Sequence, residues 1–277
     1  MLHHVPVAGG SLAVEVSGGS SEPVLAIHGI SSHRRLWDWL LTEYPDLTLV
    51  APDLRGRADS VRVEGPSSIA QHVDDLIVVL DALGLASAHV VGMSMGGFVA
   101  VALAHAHPSR VKSLVLVDGG FPFAPKPGLT RELLPVVFAD RLGRLEQRWD
   151  SFEDYLAFFS ANTAPLLDGS DPLLRSYVAH DLADGLVRLS GQALLEDAAD
   201  IFFGDNPYAE LTVPVRFAYA EWSTGAGSDP AYPAEAIERY APLTVRSVLV
   251  PGVDHAGSIM TKAGAVATAE LLSEALA

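Results

Sequence analysis

Short apolar runs and helical periodicities alternate along the first part of the chain. Residues 24–27, 47–51, 88–91 and 113–117 form almost continuous apolar runs, a pattern typical of parallel strands buried on both faces of a sheet. A helical periodicity separates the second run from the third. Its apolar positions are Ile69, Val73, Leu76, Leu80 and Leu83. Two further strands are predicted at 2–7 and 12–16, where they form a hairpin, and two more follow near the end of the chain. Because strands and helices alternate, we predict an α/β fold with a mostly parallel, eight-stranded sheet and helices on both faces.

The alternation resumes near the end of the chain, with predicted strands at 215–220 and 245–250 and helices at 234–240 and 264–276. The intervening region shows helical segments and no clear strand, and it is too long for a loop. Its predicted helices cover residues 131–137, 142–149, 152–159, 173–184 and 193–203. We therefore predict a core of residues 1–120 and 211–277, with an inserted helical cap at 121–210.

Composition and charge disfavour or exclude several classes of binding partner and functional site. The 277 residues carry 18 basic and 34 acidic side chains, a net charge of −16, which disfavours nucleic acid and anionic membranes. The chain has no cysteine, so a thiolate nucleophile and a zinc–thiolate site are excluded. Neither a secretory signal nor an apolar run of membrane-spanning length is visible, so we expect a cytoplasmic protein. The sequence is compatible with a monomer or a homodimer.

The sequence Gly92-Met93-Ser94-Met95-Gly96 follows an apolar run and precedes a helical one. A G-x-S-x-G motif between a strand and a helix is typical of a nucleophile elbow. Its glycines allow a sharp turn, and the serine hydroxyl then projects near the positive end of the helix dipole. We predict Ser94 to be a catalytic nucleophile.

Several further segments, in the same order along the chain, resemble the α/β-hydrolase superfamily. His28-Gly29-Ile30 resembles its oxyanion segment, and residues 53–60 resemble its D-x-R-G-x-G-x-S loop with Ala58 in place of a glycine. Val253-Asp254-His255 follows the last predicted strand, where the family has its catalytic histidine. The resemblance implies a capped serine esterase or lactonase with His255 as base and the amides of Ile30 and Met95 as oxyanion hole. It implies no metal and no organic cofactor.

The carboxylate partner of His255 is open to three interpretations. The family usually has an aspartate after the strand at 215–220, but Glu221-Trp222-Ser223 follows that strand here. Part of the family has the acid after the strand that follows the elbow, where Asp118 lies, so we favour Asp118. Glu221 and Asp229 are the alternatives. Arg34 and Arg35 are interpreted as a solvated surface pair, with steering of an anionic substrate as the other possibility.

The leading hypothesis is hydrolysis of a small apolar carboxylic ester or lactone, because the predicted cap is rich in aromatic and aliphatic residues. A carbon–carbon hydrolase of diketone-type ring-cleavage products and a cofactor-free perhydrolase share the same catalytic groups. A ligand receptor on a hydrolase fold is the alternative from another class, and it would show very slow turnover.

Overall fold

The strands form one large sheet and one short ribbon in a computed structural model that describes residues 1–124 and 126–277. The strands are β1 (Leu2–Val7), β2 (Gly10–Val16), β3 (Pro23–Ile27), β4 (Thr48–Pro52), β5 (Ala88–Met93), β6 (Val111–Val117), β7 (Leu182–Ala183), β8 (Leu186–Val187), β9 (Val215–Ala220) and β10 (Arg246–Val250). Eight of them form the sheet β1-β2-β4-β3-β5-β6-β9-β10. Only β2 pairs antiparallel within it, with β1 and with β4, so the predicted mostly parallel sheet is confirmed.

Helices cover both faces of this sheet. The α-helices are α1 (Asp38–Glu43), α2 (Ile69–Ala82), α3 (Met95–Ala106), α4 (Leu134–Val137), α5 (Ala139–Gly143), α6 (Phe152–Asn162), α7 (Pro172–Asp181), α8 (Gly191–Phe203), α9 (Ala234–Tyr240), α10 (Gly257–Met260) and α11 (Lys262–Leu276). Alternate strand residues face opposite sides, so Val24 joins the cluster that contains α1 and α11, while Leu25 joins the one with α2 and α3. Burial of both clusters holds the strand ends in a fixed frame.

Residues 121–210, here called the insert, lie between β6 and the start of β9. In the part that the structure describes, the insert carries α4 to α8 and contributes no strand to the large sheet. Its inner side packs on the core through Tyr155, Phe159 and Tyr177. The division into a core and a functional cap stays a prediction.

Two of the helices predicted in the insert differ from the observed ones. No helix covers residues 144–149, because α5 ends at Gly143. The helix predicted to reach residue 184 ends at Asp181 and is followed by the β7–β8 hairpin. Asp184 and Gly185 form its turn with φ of 52° and 74°, the left-handed conformation that such two-residue turns require.

Among the described residues, no helix combines the length and the apolar content that a membrane-spanning helix requires.

Gly96 provides a test of how closely α3 packs on the sheet. A Cβ added there would lie 2.0 Å from the carbonyl oxygen of Ile27, whereas a Cβ at Gly18 would meet nothing within 4 Å. We expect Gly96→Ala to lower the free energy of unfolding by about 3 kcal/mol. Gly18→Ala should change it by less than about 0.5 kcal/mol. Equal urea midpoints for the two variants would contradict this packing.

Candidate active site

Ser94 lies at the turn between β5 and α3. Its φ of 55° and ψ of −122° are unusual for a residue other than glycine. The backbone N–H of Ser94 donates to the carbonyl of Val117 at 2.9 Å, and its carbonyl accepts from Gly97 N–H at 2.9 Å. The strained conformation is therefore held from both sides, as expected for a nucleophile elbow.

His255 and Asp118 meet at the same edge of the sheet. His255 Nδ1 lies 2.6 Å from Asp118 Oδ2, and Ala220 N–H donates to Asp118 Oδ1 at 3.0 Å. The Asp118 side chain is only 1% exposed, whereas that of His255 is 30% exposed. Because the carboxylate accepts at both oxygens, we assign the ring proton of His255 to Nδ1. In that tautomer Nε2 carries the lone pair that can accept a proton.

The other two candidate acids lie elsewhere. Glu221 Oε2 accepts from the backbone N–H of Gly252 at 2.7 Å and so closes the turn after β10. Asp229 is exposed, and its backbone carbonyl accepts from Ser223 N–H at 3.2 Å. Of the three carboxylates considered from the sequence, Asp118 is the one that the structure brings to His255.

The loop that carries His255 is fixed by its neighbour Asp254. The buried carboxylate of Asp254 accepts from Gly225 N–H at 2.9 Å and from Gly257 N–H at 3.1 Å. The carbonyl of His255 accepts from the hydroxyl of Ser258 at 2.8 Å. The imidazole therefore projects from a loop with few conformational alternatives.

A cavity of about 90 Å³ joins these groups. Ser94, His255 and the oxyanion segment line it, and the insert contributes Arg141 and Phe159 among others. Its remaining lining includes Ser31, Ser32, Leu36, Met93, Thr163, Tyr177, Ser223, Thr224, Asp254, Ala256 and Met260. In the described part of the chain no hydrogen bond joins Ser94 Oγ to His255. Such contacts are often long before the substrate binds.

The backbone amides of Ile30 and Met95 are the donors predicted for the oxyanion hole. Both residues border Ser94, and neither backbone N–H donates to a protein acceptor among the described residues. A Cβ built on Gly29 would lie 3.3 Å from Ser94 Cβ, so the segment runs directly beside the elbow. Ile30 and Met95 therefore both belong to backbone that adjoins Ser94, so their amides are candidates to stabilise an oxyanion.

His28 holds this segment from below. Its Nε2 accepts from Leu54 N–H at 2.9 Å, so Nδ1 carries the proton that it donates to the carbonyl of Gly29 at 2.8 Å. Burial lowers the pKa of His28 to about 3. The residue is thus a neutral structural link between this segment and the loop at Leu54.

Two arginines bind backbone carbonyls in and next to the oxyanion segment. Arg57 donates to the carbonyl of Ile30 from Nε at 3.0 Å and from its terminal nitrogen at 2.9 Å. Arg144 of the insert donates to the carbonyl of Ser31 at 3.1 Å. Fixing these carbonyls fixes the peptide planes around the Ile30 amide. No local motif indicates either role, because the partners are distant in sequence.

Each of these arginines also binds a buried carboxylate of the insert. Arg57 lies 2.6 Å from Asp197 of α8, and Arg144 lies 3.3 Å from Asp181 of α7. Burial raises the pKa of Asp197, but the charges of His72 and Arg57 outweigh it and hold that pKa well below its ordinary value. The insert and the oxyanion segment are therefore joined by buried ion pairs.

Asp53, Asp59 and His180 bring possible metal-ligand atoms within 4.8 Å of one another. Arg34 pairs with both carboxylates, and Arg188 pairs with Asp59. Two guanidinium groups already neutralise this donor set, so it does not suit a cation. The interpretation of Arg34 as a solvated surface residue is wrong, since its side chain is 7% exposed and paired.

The chain belongs to the α/β hydrolase family. The family model described as "alpha/beta hydrolase fold" matches residues 22–169, more than half of the chain. Over its whole length the chain is similar to the crystal structure of E-2-(acetamidomethylene)succinate hydrolase, with a TM-score of 0.79 and 23% identity, covering 99% of this chain and 98% of that one. At that identity the likeness shows the fold.

Two curated relatives that are hydrolases by name match part of the chain. The chain is 42% identical over 102 residues to Lipase LipV of Mycobacterium tuberculosis, covering 36% of this chain and 39% of that protein. It is 37% identical over 124 residues to the putative carbamate hydrolase RutD of Caulobacter segnis, covering 43% of this chain and 41% of that protein. The chain thus spans about two-fifths of the length of these relatives.

The buried His28 predicts a specific pH dependence of stability. The folded protein keeps this ring neutral down to about pH 3, whereas the unfolded chain protonates it near pH 6.5. The unfolded state therefore binds more protons between these values, and stability falls as the pH falls. Between about pH 6 and pH 4, the free energy of unfolding of the wild type should fall by about 1.4 kcal/mol more per pH unit than that of His28→Gln.

Urea unfolding at several pH values measures both slopes. The variant is expected to be less stable at neutral pH, because the amide replaces the ring imperfectly. Parallel pH dependences in the two proteins would contradict a buried neutral His28.

Proposed function

We propose that this protein is a serine hydrolase that cleaves a carboxylic ester or lactone through an acyl-enzyme. The observation that carries the proposal is the convergence of Ser94, in its strained turn, and the His255–Asp118 pair on one cavity. A serine hydroxyl needs a neighbouring base at neutral pH, and His255 Nε2 is the base available there.

The reaction follows from these positions. Ser94 Oγ attacks the carbonyl carbon while its proton passes to His255 Nε2. The amides of Ile30 and Met95 donate to the oxyanion, and Asp118 stabilises the imidazolium. The imidazolium then protonates the leaving alcohol, the acyl group stays on Ser94, and a water molecule activated by His255 releases the acid.

The cavity favours a compact acyl group. Leu36, Phe159 and Met260 line the same cavity as the nucleophile, and the cavity volume is about 90 Å³. We therefore infer that short esters are better substrates than long ones. The carbamate hydrolase among the relatives makes a carbamate the second bond type to assay.

Initial rates on p-nitrophenyl esters from acetate to decanoate test this proposal. We expect the wild type to prefer the shorter esters and Ser94→Ala to lose at least about 10⁴-fold in kcat/KM. Ser170→Ala, which removes an exposed hydroxyl of the insert that binds Asp168, is the matched control and should retain activity within about twofold.

Labelling with a fluorophosphonate separates the possible failures. Modification at Ser94 without ester turnover would keep the nucleophile but reject the ester as substrate. Neither labelling nor turnover, or turnover that survives Ser94→Ala, would overturn the proposal.

A further inference from the structure

Arg141 lines the cavity that contains Ser94 and His255. It lies on α5, its side chain is partly buried, and its guanidinium carbon is 5.8 Å from the centre of the Phe138 ring. Among the described residues its side chain forms no ion pair and no hydrogen bond. A guanidinium is always charged and offers five N–H donors, so these donors are available to a molecule in the cavity.

The other buried arginines of this region differ from Arg141 because each has a carboxylate partner. Arg144 pairs with Asp181, Arg57 with Asp197, and Arg34 with Asp53. The cavity's own carboxylate, Asp254, accepts from two backbone amides and makes no ion pair with Arg141. Arg141 is therefore the cation of this set that lacks a protein counterion.

Such a position is unfavourable without an anion. Burial, and then the charge of Arg144, lower the pKa of Arg141, while Asp140 compensates less. A buried cation is costly unless it is paired. A bound carboxylate would supply the missing charge and could accept two parallel hydrogen bonds from the guanidinium.

We infer that Arg141 forms an anion subsite and that the substrate carries a carboxylate in addition to the bond that is cleaved. This inference deepens the proposed function, on which it rests, and it replaces the wholly apolar substrate expected from the sequence. Ser94 then acts on a compact molecule with an anionic end near α5 and its scissile carbonyl beside the elbow.

Matched ester pairs test the subsite. The mono-p-nitrophenyl esters of succinate, glutarate and adipate are compared with the butanoate, pentanoate and hexanoate esters, after subtraction of enzyme-free rates. For a carboxylate on the alcohol side, 4-acetoxybenzoate is compared with its methyl ester. We expect the wild type to prefer the anionic member of at least one pair by about tenfold or more in kcat/KM.

The variant Arg141→Met should remove this preference, because kcat/KM should fall much more for the anionic esters than for the neutral ones. Arg131→Met is the matched control, since Arg131 also belongs to the insert and lies over a phenylalanine ring, at 5.2 Å from Phe203, but does not line the cavity. It should keep the preference. No preference in any pair, or one that survives Arg141→Met, would overturn the subsite while leaving the hydrolase proposal intact.

A binding measurement covers the case in which no ester is turned over. Glutarate should raise the melting temperature of the wild type and of Ser94→Ala, glutaramide should not, and Arg141→Met should abolish the glutarate effect. That result without ester turnover would support the subsite and reject the esterase. If no ester is turned over, two results would reject the subsite. Glutarate would leave the melting temperature of the wild type unchanged, or it would raise that of Arg141→Met equally.

Discussion

The hydrogen bond between Asp118 and His255 joins residues that are 137 positions apart and that follow different strands. Asp118 has a positive φ of 44° and accepts from His255 at one carboxylate oxygen and from Ala220 at the other. The end of β6, the end of β9 and the last loop are thereby held together. Because β6 also accepts the N–H of Ser94 through Val117, the nucleophile is positioned by the same strand end. The whole candidate site depends on this meeting point.

The oxyanion segment is fixed by a second set of contacts that crosses between core and insert. Arg57 binds the carbonyl of Ile30 in this segment, Arg144 binds the carbonyl of the next residue, Ser31, and each also binds one buried carboxylate of the insert. Movement of α7 or α8 would therefore disturb the orientation of the Ile30 amide as well as the shape of the cavity. Removing one partner of such a buried pair typically costs about 3–5 kcal/mol, because the other charge is left unpaired, so single substitutions in these pairs should destabilise the protein. The insert thus contributes to both the shape and the polarity of the site.

The sequence predicts the sheet and the elbow well because their signals are local. Apolar runs indicate buried strands, and the glycines around Ser94 permit a turn that few other residues allow. Asp118, Glu221 and Asp229 all follow strands that end at the same sheet edge, so only three-dimensional distances distinguish them. Asp184-Gly185 is a local turn signal, but the helix predicted over residues 173–184 includes its first residue. Arg57 and Arg144 form ion pairs with residues that are distant in sequence, so no local pattern predicts these pairs. The residues around Arg141 in the sequence likewise do not show that its side chain lacks a carboxylate partner among the described residues.

The tautomer of His255 is the most direct test of the central claim, because Ser94 can give its proton only to an unprotonated Nε2. Heteronuclear NMR on protein with ¹⁵N-labelled histidine reports which ring nitrogen carries the proton. The structure predicts that the neutral form of the ring carries its proton at Nδ1 in the wild type and in Glu221→Gln, and that Asp118→Asn loses this preference. A wild-type ring protonated at Nε2, or a tautomer that depends on Glu221 and not on Asp118, would contradict the assignment of Asp118, His255 and Ser94 to one catalytic unit.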